Sequence, residues 1–308
     1  MLVLLGGLYL GWAIGAKDAA NVFGTAVASR IITFRRATVL CAVGVVAGAF
    51  LQGESGIRTL SALTSQTSGT LIIVSVSAAV VVTLMTLLRL PVGTAQAIVG
   101  AVAGVGLAAR DLYWPVLIKV VVGWSATPVG AMLLSMAFCR LMSLFFRFTP
   151  IGILTRDNLL LGGLIVVGAY GSYALGANNV AIVTGIFSGQ IAGLTDTHLA
   201  LIGGAAIAAG VLTFSRRMML TVGSAIVSLN AQTAFVAVLS MAVTTHIFAL
   251  VGVPVSTSQA IVGAVMGVGM MHGAQTVKFR MLRNIGVGWV LTPVAALILS
   301  AAGYALFA

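Results

Sequence analysis

Pro91-Val92-Gly93-Thr94-Ala95-Gln96-Ala97-Ile98-Val99-Gly100 returns 163 residues later as Pro254-Val255-Ser256-Thr257-Ser258-Gln259-Ala260-Ile261-Val262-Gly263, and the match runs on to Gly106 and Gly269. Gly123-Trp124 and Thr127-Pro128 return as Gly288-Trp289 and Thr292-Pro293, at an offset of 165. Gly15-Ala16-Lys17-Asp18-Ala19-Ala20-Asn21 has a weaker copy 161 residues on, Gly176-Ala177-Asn178-Asn179-Val180-Ala181. Three matched blocks in one order mark a tandem duplication. The division is a first repeat over residues 1–139, a connection over 140–157 and a second repeat over 158–308.

The sequence around these blocks is apolar. Of 308 residues, 60% are hydrophobic and 7% charged, against about 25% charged in soluble domains. With a mean hydropathy of +1.16 and long apolar runs throughout, the composition specifies an all-α polytopic membrane protein. A transmembrane β-barrel would show short alternating segments instead. The stretches between runs are too short for a soluble domain. The N-terminus is apolar at once, without a basic n-region, and reads as a first span rather than a signal peptide. Cys41 and Cys139 lie in or beside apolar runs, without metal-ligand spacing, and read as small inert residues. The net charge of +11 sits in short loops, so it reports topology and not nucleic acid.

Each half contains five apolar segments: 2–29, 37–52, 68–88, 92–109 and 113–138, then 159–188, 198–214, 226–250, 255–271 and 284–306. The fourth in each half, at 18 and 17 residues, barely reaches across a hydrocarbon core of about 30 Å. Each either spans or forms part of a re-entrant hairpin. An odd number of crossings per half inverts the second half relative to the first. With the N-terminus outside, the inside connections hold Arg30, Arg35, Arg36, Arg89, Arg140, Arg147, Arg156, Arg216, Arg217, Lys278, Arg280 and Arg283, twelve basic residues. The outside connections hold three, Arg58, Arg110 and Lys119. The positive-inside rule therefore places both termini outside, and inverted repeats with a site at the midplane are a recurrent transporter design.

Lys17 and Asp18 lie far from either end of their apolar run. Ionisable groups at membrane depth are costly and mark substrate or ion paths. Neighbouring residues do not face each other on a regular helix, so glycines at 11, 15 and 24 suggest a local break that frees carbonyls for a cation. Asp18 is the candidate for Na⁺ coordination or proton carriage, and Lys17 is a fixed positive charge. The bland alternative is an interhelical ion pair. Asn178 and Asn179 coordinate a cation or donate to an anion, unless they simply hold helices together. Pro91 and Pro254 sit where helices start. Thr94, Gln96, Ser256, Thr257, Ser258 and Gln259 then surround free backbone N–H groups, a cradle for an oxyanion. Ordinary N-capping and small-residue packing through Gly100-x₃-Gly104 and Gly263-x₃-Gly267 are the competing readings. Glu54 reads as an interfacial structural residue, His198 and His272 as loop residues, His246 as a satisfied core group, and the four tryptophans as packing or interfacial aromatics.

These residues resemble the inorganic phosphate transporter family, which includes sulfate permeases. Its signature Gly-Ala-Asn-Asp-x-Ala-Asn is similar to Gly15 through Asn21, continuing into Gly24-Thr25. Its Pro-Val-Ser-Thr-Thr-His is similar to Pro254 through Gln259 and Pro91 through Gln96. The resemblance covers almost the whole chain. It implies a homodimeric plasma-membrane transporter with outside termini, moving phosphate with Na⁺ or H⁺ and needing no other cofactor. Substrate binding would fall to Gly93, Thr94, Gln96, Ser256, Thr257, Ser258, Gln259 and Lys17. Cation coupling would fall to Asp18, Asn21, Thr25, Asn178 and Asn179.

This chain departs from the family pattern in charge. Lys17 replaces the first Asn, Asn179 the second Asp, Ile182 the second Asn, and Gln96 and Gln259 the His. The expectation is that the Lys17 ammonium stands in for one bound cation. Hydrogen phosphate can donate a hydrogen bond to a carboxylate and sulfate cannot, so losing an acid and gaining an ammonium eases sulfate entry. Phosphate stays ahead of sulfate on the family's habit. A passive anion channel would not need Asp18. An intramembrane enzyme is disfavoured because the sequence offers neither a His-Glu metal cluster nor a nucleophile with an obvious base.

Overall fold

The computed structural model describes residues 4–87, 93–149, 151–225, 230–272 and 279–307. Pro91, Arg89, Lys278 and the expected segment ends at 88 and 226–229 lie outside these residues, as do the side chains of His272, Arg280 and Arg283. Among the described residues eleven α-helices follow in order: α1 Leu4–Ala28, α2 Phe34–Gln52, α3 Glu54–Ser61, α4 Ser68–Leu87, α5 Thr94–Ala108, α6 Trp114–Phe148, α7 Ile153–Thr184, α8 Asp196–Ala225, α9 Ala231–Val251, α10 Thr257–His272 and α11 Phe279–Phe307. The protein is all-α and multi-spanning, as expected where lipid leaves backbone groups to pair within their own segment.

Among the described residues, seven helices are long and apolar enough to cross a membrane: α2, α4, α6, α7, α8, α9 and α11. With 25 residues α1 has the length, but Lys17, Asp18 and Asn21 interrupt its apolar surface. The helices α5 and α10 have 15 and 16 residues, about 22–24 Å at ~1.5 Å per residue. Both begin at buried residues, Thr94 and Thr257. In α6 and α11, Pro128 and Pro293 remove a backbone donor. One residue earlier, Thr127 and Thr292 donate hydroxyls to the Gly123 and Gly288 carbonyls at 2.7 and 2.6 Å, satisfying these buried hydroxyls within their own helices.

The glycines set how the helices pack. Gly15 lies against the Ile207 carbonyl of α8, and Gly176, its repeat counterpart, against the Val45 carbonyl of α2. Gly210 of α8 meets the Trp12 carbonyl of α1, and Gly48 of α2 meets that of Tyr173 in α7. Gly100 abuts Pro293 while Gly263 abuts Pro128. Exchanging the halves maps each contact onto its partner. The contacts also give direction. Gly7 faces Val183 and Phe187, whereas Gly168 and Gly171 face Phe23 and Val22, so α1 and α7 run antiparallel.

Four features differ from the sequence expectation. No break interrupts α1 at Lys17–Asp18, because Gly11 and Gly15 are used for close approach to α8. Helix α3, an amphipathic eight-residue segment burying Ile57 and Leu60, stands where a loop was expected. Finally, α6 continues ten residues past 138, to Phe148, and His198 lies in the first turn of α8, where its Nδ1 is 3.2 Å from the Thr195 amide. Outside the spans, Asp111 ties the α5–α6 connection to residues 64–65: its Oδ2 accepts from the Ser65 amide at 2.8 Å and the Thr64 hydroxyl at 3.3 Å. The Ser65 N–H is the main reason its carboxyl is held below the usual range.

Candidate functional site

Asp18 is the centre of the site and is 3% exposed. Its Oδ2 accepts from Thr257 Oγ1 at 2.8 Å and from Asn179 Nδ2 at 3.3 Å. Its Oδ1 accepts from Ser258 Oγ and Asn21 Nδ2, each at 3.4 Å, with Lys17 Nζ at 3.5 Å. One carboxylate from the first half thus gathers two hydroxyls at the start of α10 and an amide of α7, both in the second half. Asn21 also donates to Ser258 Oγ at 3.4 Å. An uninterrupted α1 places Asp18 and Asn21 on one face, because residues three apart are helix-surface neighbours.

Asn178 works differently from its neighbour. Its Nδ2 donates to the Val255 carbonyl at 2.7 Å and its Oδ1 accepts from the Val255 amide at 3.0 Å. This two-point clamp fixes the extended segment before α10. Asn178 Nδ2 also donates to Asn179 Oδ1 at 2.7 Å, aiming the Asn179 amide at Asp18. A further support comes from α6, where Trp124 Nε1 donates to the Pro254 carbonyl at 3.2 Å. The three hydroxyls after Val255 then divide: Ser256 Oγ faces the Gln259 amide at 3.4 Å as a helix cap, leaving Thr257 and Ser258 for Asp18.

Asp18, Asn21, Lys17, Asn179, Thr257 and Ser258 therefore meet, with Asn178 and Ser256 supporting them. Thr94 is buried at the start of α5, and no described hydrogen bond joins its side chain to Asp18. Thr25 lies two turns beyond Asp18 on α1, about 10 Å along the axis, and is not brought to the carboxylate. Gln96 folds back over Gly93, where a Cβ would collide with its side-chain oxygen. Gln96 and Gln259 both line a cavity of about 590 Å³ whose other walls are mainly apolar residues of α5, α6 and α11; the residues gathered at Asp18 are not in its lining.

Sequence reasoning has no direct signal for the Val255 clamp, because a backbone partner has no residue type to read. Nor did it pair His246 with its neighbours. Its Nδ1 lies 2.7 Å from Tyr170 Oη and its Nε2 2.5 Å from Gln52 Oε1, so both ring nitrogens are occupied. Glu54 is an exposed partner of Arg58 at 2.6 Å.

A model of the phosphate transporter family matches residues 14–300 of this chain. The protein named "Putative phosphate permease MJ0630" of Methanocaldococcus jannaschii is 31% identical over 298 residues, covering 97% of this chain and 94% of its own. The sulfate permease CysP of Bacillus subtilis is 30% identical over 309 residues, covering 97% of this chain and 86% of its own. A solved structure described as a sodium-dependent phosphate transporter has a TM-score of 0.87 at 24% identity, covering 99% of both chains. At that identity the likeness is one of fold.

Proposed function

Because this chain belongs to the phosphate transporter family, we propose that it is a secondary active transporter that moves phosphate by symport with Na⁺ or H⁺ through alternating access. The two halves act as inverted repeats, 1–139 and 158–308, joined by a cytoplasmic connection at 140–157. The termini face outward, the plasma membrane is the host and the working form is a homodimer. The antiparallel course of α1 and α7 and the basic inside loops support this arrangement.

One observation carries the coupling mechanism. The Thr257 and Ser258 hydroxyls donate to Asp18, and these are the donors that an oxyanion at the start of α10 needs. An ionised Asp18 competes with the substrate for them and repels it. A Na⁺ or proton on Asp18 weakens its hold and screens its charge, turning the hydroxyls toward the oxyanion beside the free N–H groups of α10. Asn21 and Asn179 supply amides to the coupling side, with Asn178 and Thr25 more distant. On the substrate side are Thr257, Ser258, Gln259 and Ser256, together with Gly93, Thr94, Gln96 and Lys17. Cation binding thereby favours anion binding, and linkage requires the reverse.

Labelled phosphate uptake into proteoliposomes tests this reading. Accumulation is expected only with an inward Na⁺ or proton gradient; passive equilibration under every gradient would instead indicate a channel. Sulfate is the second reading. Similarity to the sulfate permease nearly equals that to the phosphate permease, and Asn179 stands where the family's second acid is expected. Competition of phosphate uptake by sulfate decides between the two.

A further inference from the structure

Four exposed arginines collect where α1 turns into α2 and α8 passes beside them: Arg30, Arg35, Arg36 and Arg216. The Arg216 guanidinium reaches across from α8 to lie 6.0 Å from the centre of the Phe34 ring, at the start of α2. The chain has five acidic residues, Asp18, Glu54, Asp111, Asp157 and Asp196, and among the described residues none pairs with these four arginines. Arg35 and Arg36 stand in the first turn of α2, where the helix dipole disfavours cations, and Thr33 at the N-cap makes no side-chain hydrogen bond. Residues four apart share a helix face, so Arg35 adjoins Val39, Arg36 adjoins Leu40 and Arg216 adjoins Leu212, three exposed apolar side chains. The guanidinium groups therefore border the surface that meets hydrocarbon. Exchange of the halves carries α2 onto α8 and this patch to the other end of the bundle. Glu54, Arg58 and Asp196 stand there instead, and Arg58 lies 2.6 Å from Glu54 and 3.8 Å from Asp196. Asp196 and Arg216 are twenty residues apart on α8, about 30 Å and thus one hydrocarbon thickness. One interface closes its charges internally; the other leaves four cations open.

We propose that Arg30, Arg35, Arg36 and Arg216 bind the phosphate headgroup of an anionic phospholipid, whose acyl chains lie on the exposed apolar faces of α2 and α8. Basic clusters at the ends of spanning helices attract anionic lipids, and guanidinium forks match phosphate oxygens two at a time. The headgroup also supplies the negative charge that the start of α2 lacks. A zwitterionic lipid carries its own cation into the patch and is the poorer ligand. Not every arginine expected on this side is open to such a partner: Arg156 is held within the protein by Gln232 and the Phe146 ring. The lipid would bridge two helices that support the Asp18 cluster. Through Gly48, α2 lies against α7, and through Gly210, α8 lies against α1. A headgroup shared by α2 and α8 therefore ties together the helices that carry Asn178–Asn179 and Asp18. Such a site is independent of which anion the protein moves.

The test titrates the full-length protein in neutral detergent micelles and follows Tm. Three probes are compared: phosphatidylglycerol, phosphatidylcholine, and glycerol phosphate, which has the headgroup chemistry without the chains. Phosphatidylglycerol is expected to raise Tm saturably, by about 3 °C or more. The other two should shift it by less than about 1 °C at the same concentration. The double variant Arg35→Gln, Arg216→Gln should raise the half-saturating phosphatidylglycerol concentration about twentyfold, because each arginine near an anionic headgroup is worth roughly a factor of five. Arg140→Gln, Arg147→Gln removes the same charge from α6 and should stay within about twofold of wild type. Equal stabilisation by phosphatidylcholine overturns the proposal in favour of chain packing alone. Equal stabilisation by glycerol phosphate overturns it in favour of a soluble anion. Equal weakening in the two double variants overturns it too, since attraction would then be spread over the whole basic face. If the Gln pair at 35 and 216 does not fold, Arg35→Lys, Arg216→Lys keeps the charge and loses the forks. Roughly fivefold weaker binding is then expected, and unchanged affinity overturns the assignment.

Discussion

Lys17–Asp18 in α1 and Asn178–Asn179 in α7 occupy equivalent places in the two halves, yet they do different work. Asn178 both donates and accepts, so it holds the Val255 backbone at two points. An ammonium only donates, so Lys17 has no means of making the same clamp. Asn179 offers its amide to Asp18 rather than gathering hydroxyls of its own. Duplication has kept the frame and divided the roles. The second half supplies positioning and the first supplies the charge that reaches across to α10. This asymmetry departs from the acid in each half that the family resemblance leads one to expect, and Asp18 is the one carboxylate in these motifs on which the proposed coupling rests.

Removing that carboxylate should have the largest effect. Asp18→Asn keeps the shape but eliminates the charge-assisted acceptor for Thr257, Ser258 and Asn179. Gradient-driven uptake is expected to fall on the order of a hundredfold, corresponding to about 3 kcal/mol. Adding Asn179→Asp restores a carboxylate in the other half, one hydrogen bond away. Partial recovery in the double variant, measured as initial uptake rate, would show that the charge matters more than the helix that carries it. No recovery would mean that the two motifs are not interchangeable. Full cation-driven uptake in Asp18→Asn alone would refute the coupling scheme.

Asn178→Leu probes the positioning half. It leaves the buried Val255 N–H and carbonyl without this partner, at a cost of roughly 1–3 kcal/mol for each orphaned group. A lower Tm in detergent and a higher phosphate KM are expected. Asn178→Asp retains an acceptor for the N–H and loses the donor to the carbonyl, so it should fall between wild type and Asn178→Leu in stability. A Leu variant with unchanged Tm would show that Trp124 and the chain around Pro254 hold the segment without the clamp.

Much of this architecture was legible because lipid restricts what an apolar segment can do: once a long apolar run is buried in hydrocarbon, it forms a helix. The duplication was equally visible, since Pro91–Gly106 and Pro254–Gly269 retain their order and residue types. What escaped was directional. Gly11 and Gly15 read equally well as a helix break or as a flat packing surface, and only the arrival of α8 decides for packing. Ser256, Thr257 and Ser258 read as one hydroxyl cluster, but Ser256 stands just before α10 and caps it, while Thr257 and Ser258 in its first turn reach Asp18. Thr25 fits the motif yet lies too far along α1. Helix α3 hides in a polar stretch because eight residues with Ile57 and Leu60 on one face make a weak signal beside neighbouring runs of about twenty.

Lys17 should produce the smallest effect of the three and the most specific one. Its ammonium lies 3.5 Å from Asp18, with the Lys17 side chain 29% exposed and that of Asp18 4% exposed. At that separation the attraction is about 5 kcal/mol at an effective dielectric of 20 and only about 1 kcal/mol in bulk water. Partial exposure places the pair between these limits, enough to bias occupancy of Asp18 without abolishing transport. A tethered cation that partly neutralises Asp18 should reduce what Na⁺ or protons must contribute. Lys17→Asn restores the residue expected in the family motif and should steepen the cation dependence of uptake, with a several-fold change in the half-saturating cation concentration and a smaller change in maximal rate. Lys17→Met, which keeps much of the apolar stem, should do the same if charge is responsible. If both variants transport with unchanged cation dependence, Lys17 is a structural partner of Asp18, and the charge difference between the halves has no part in coupling.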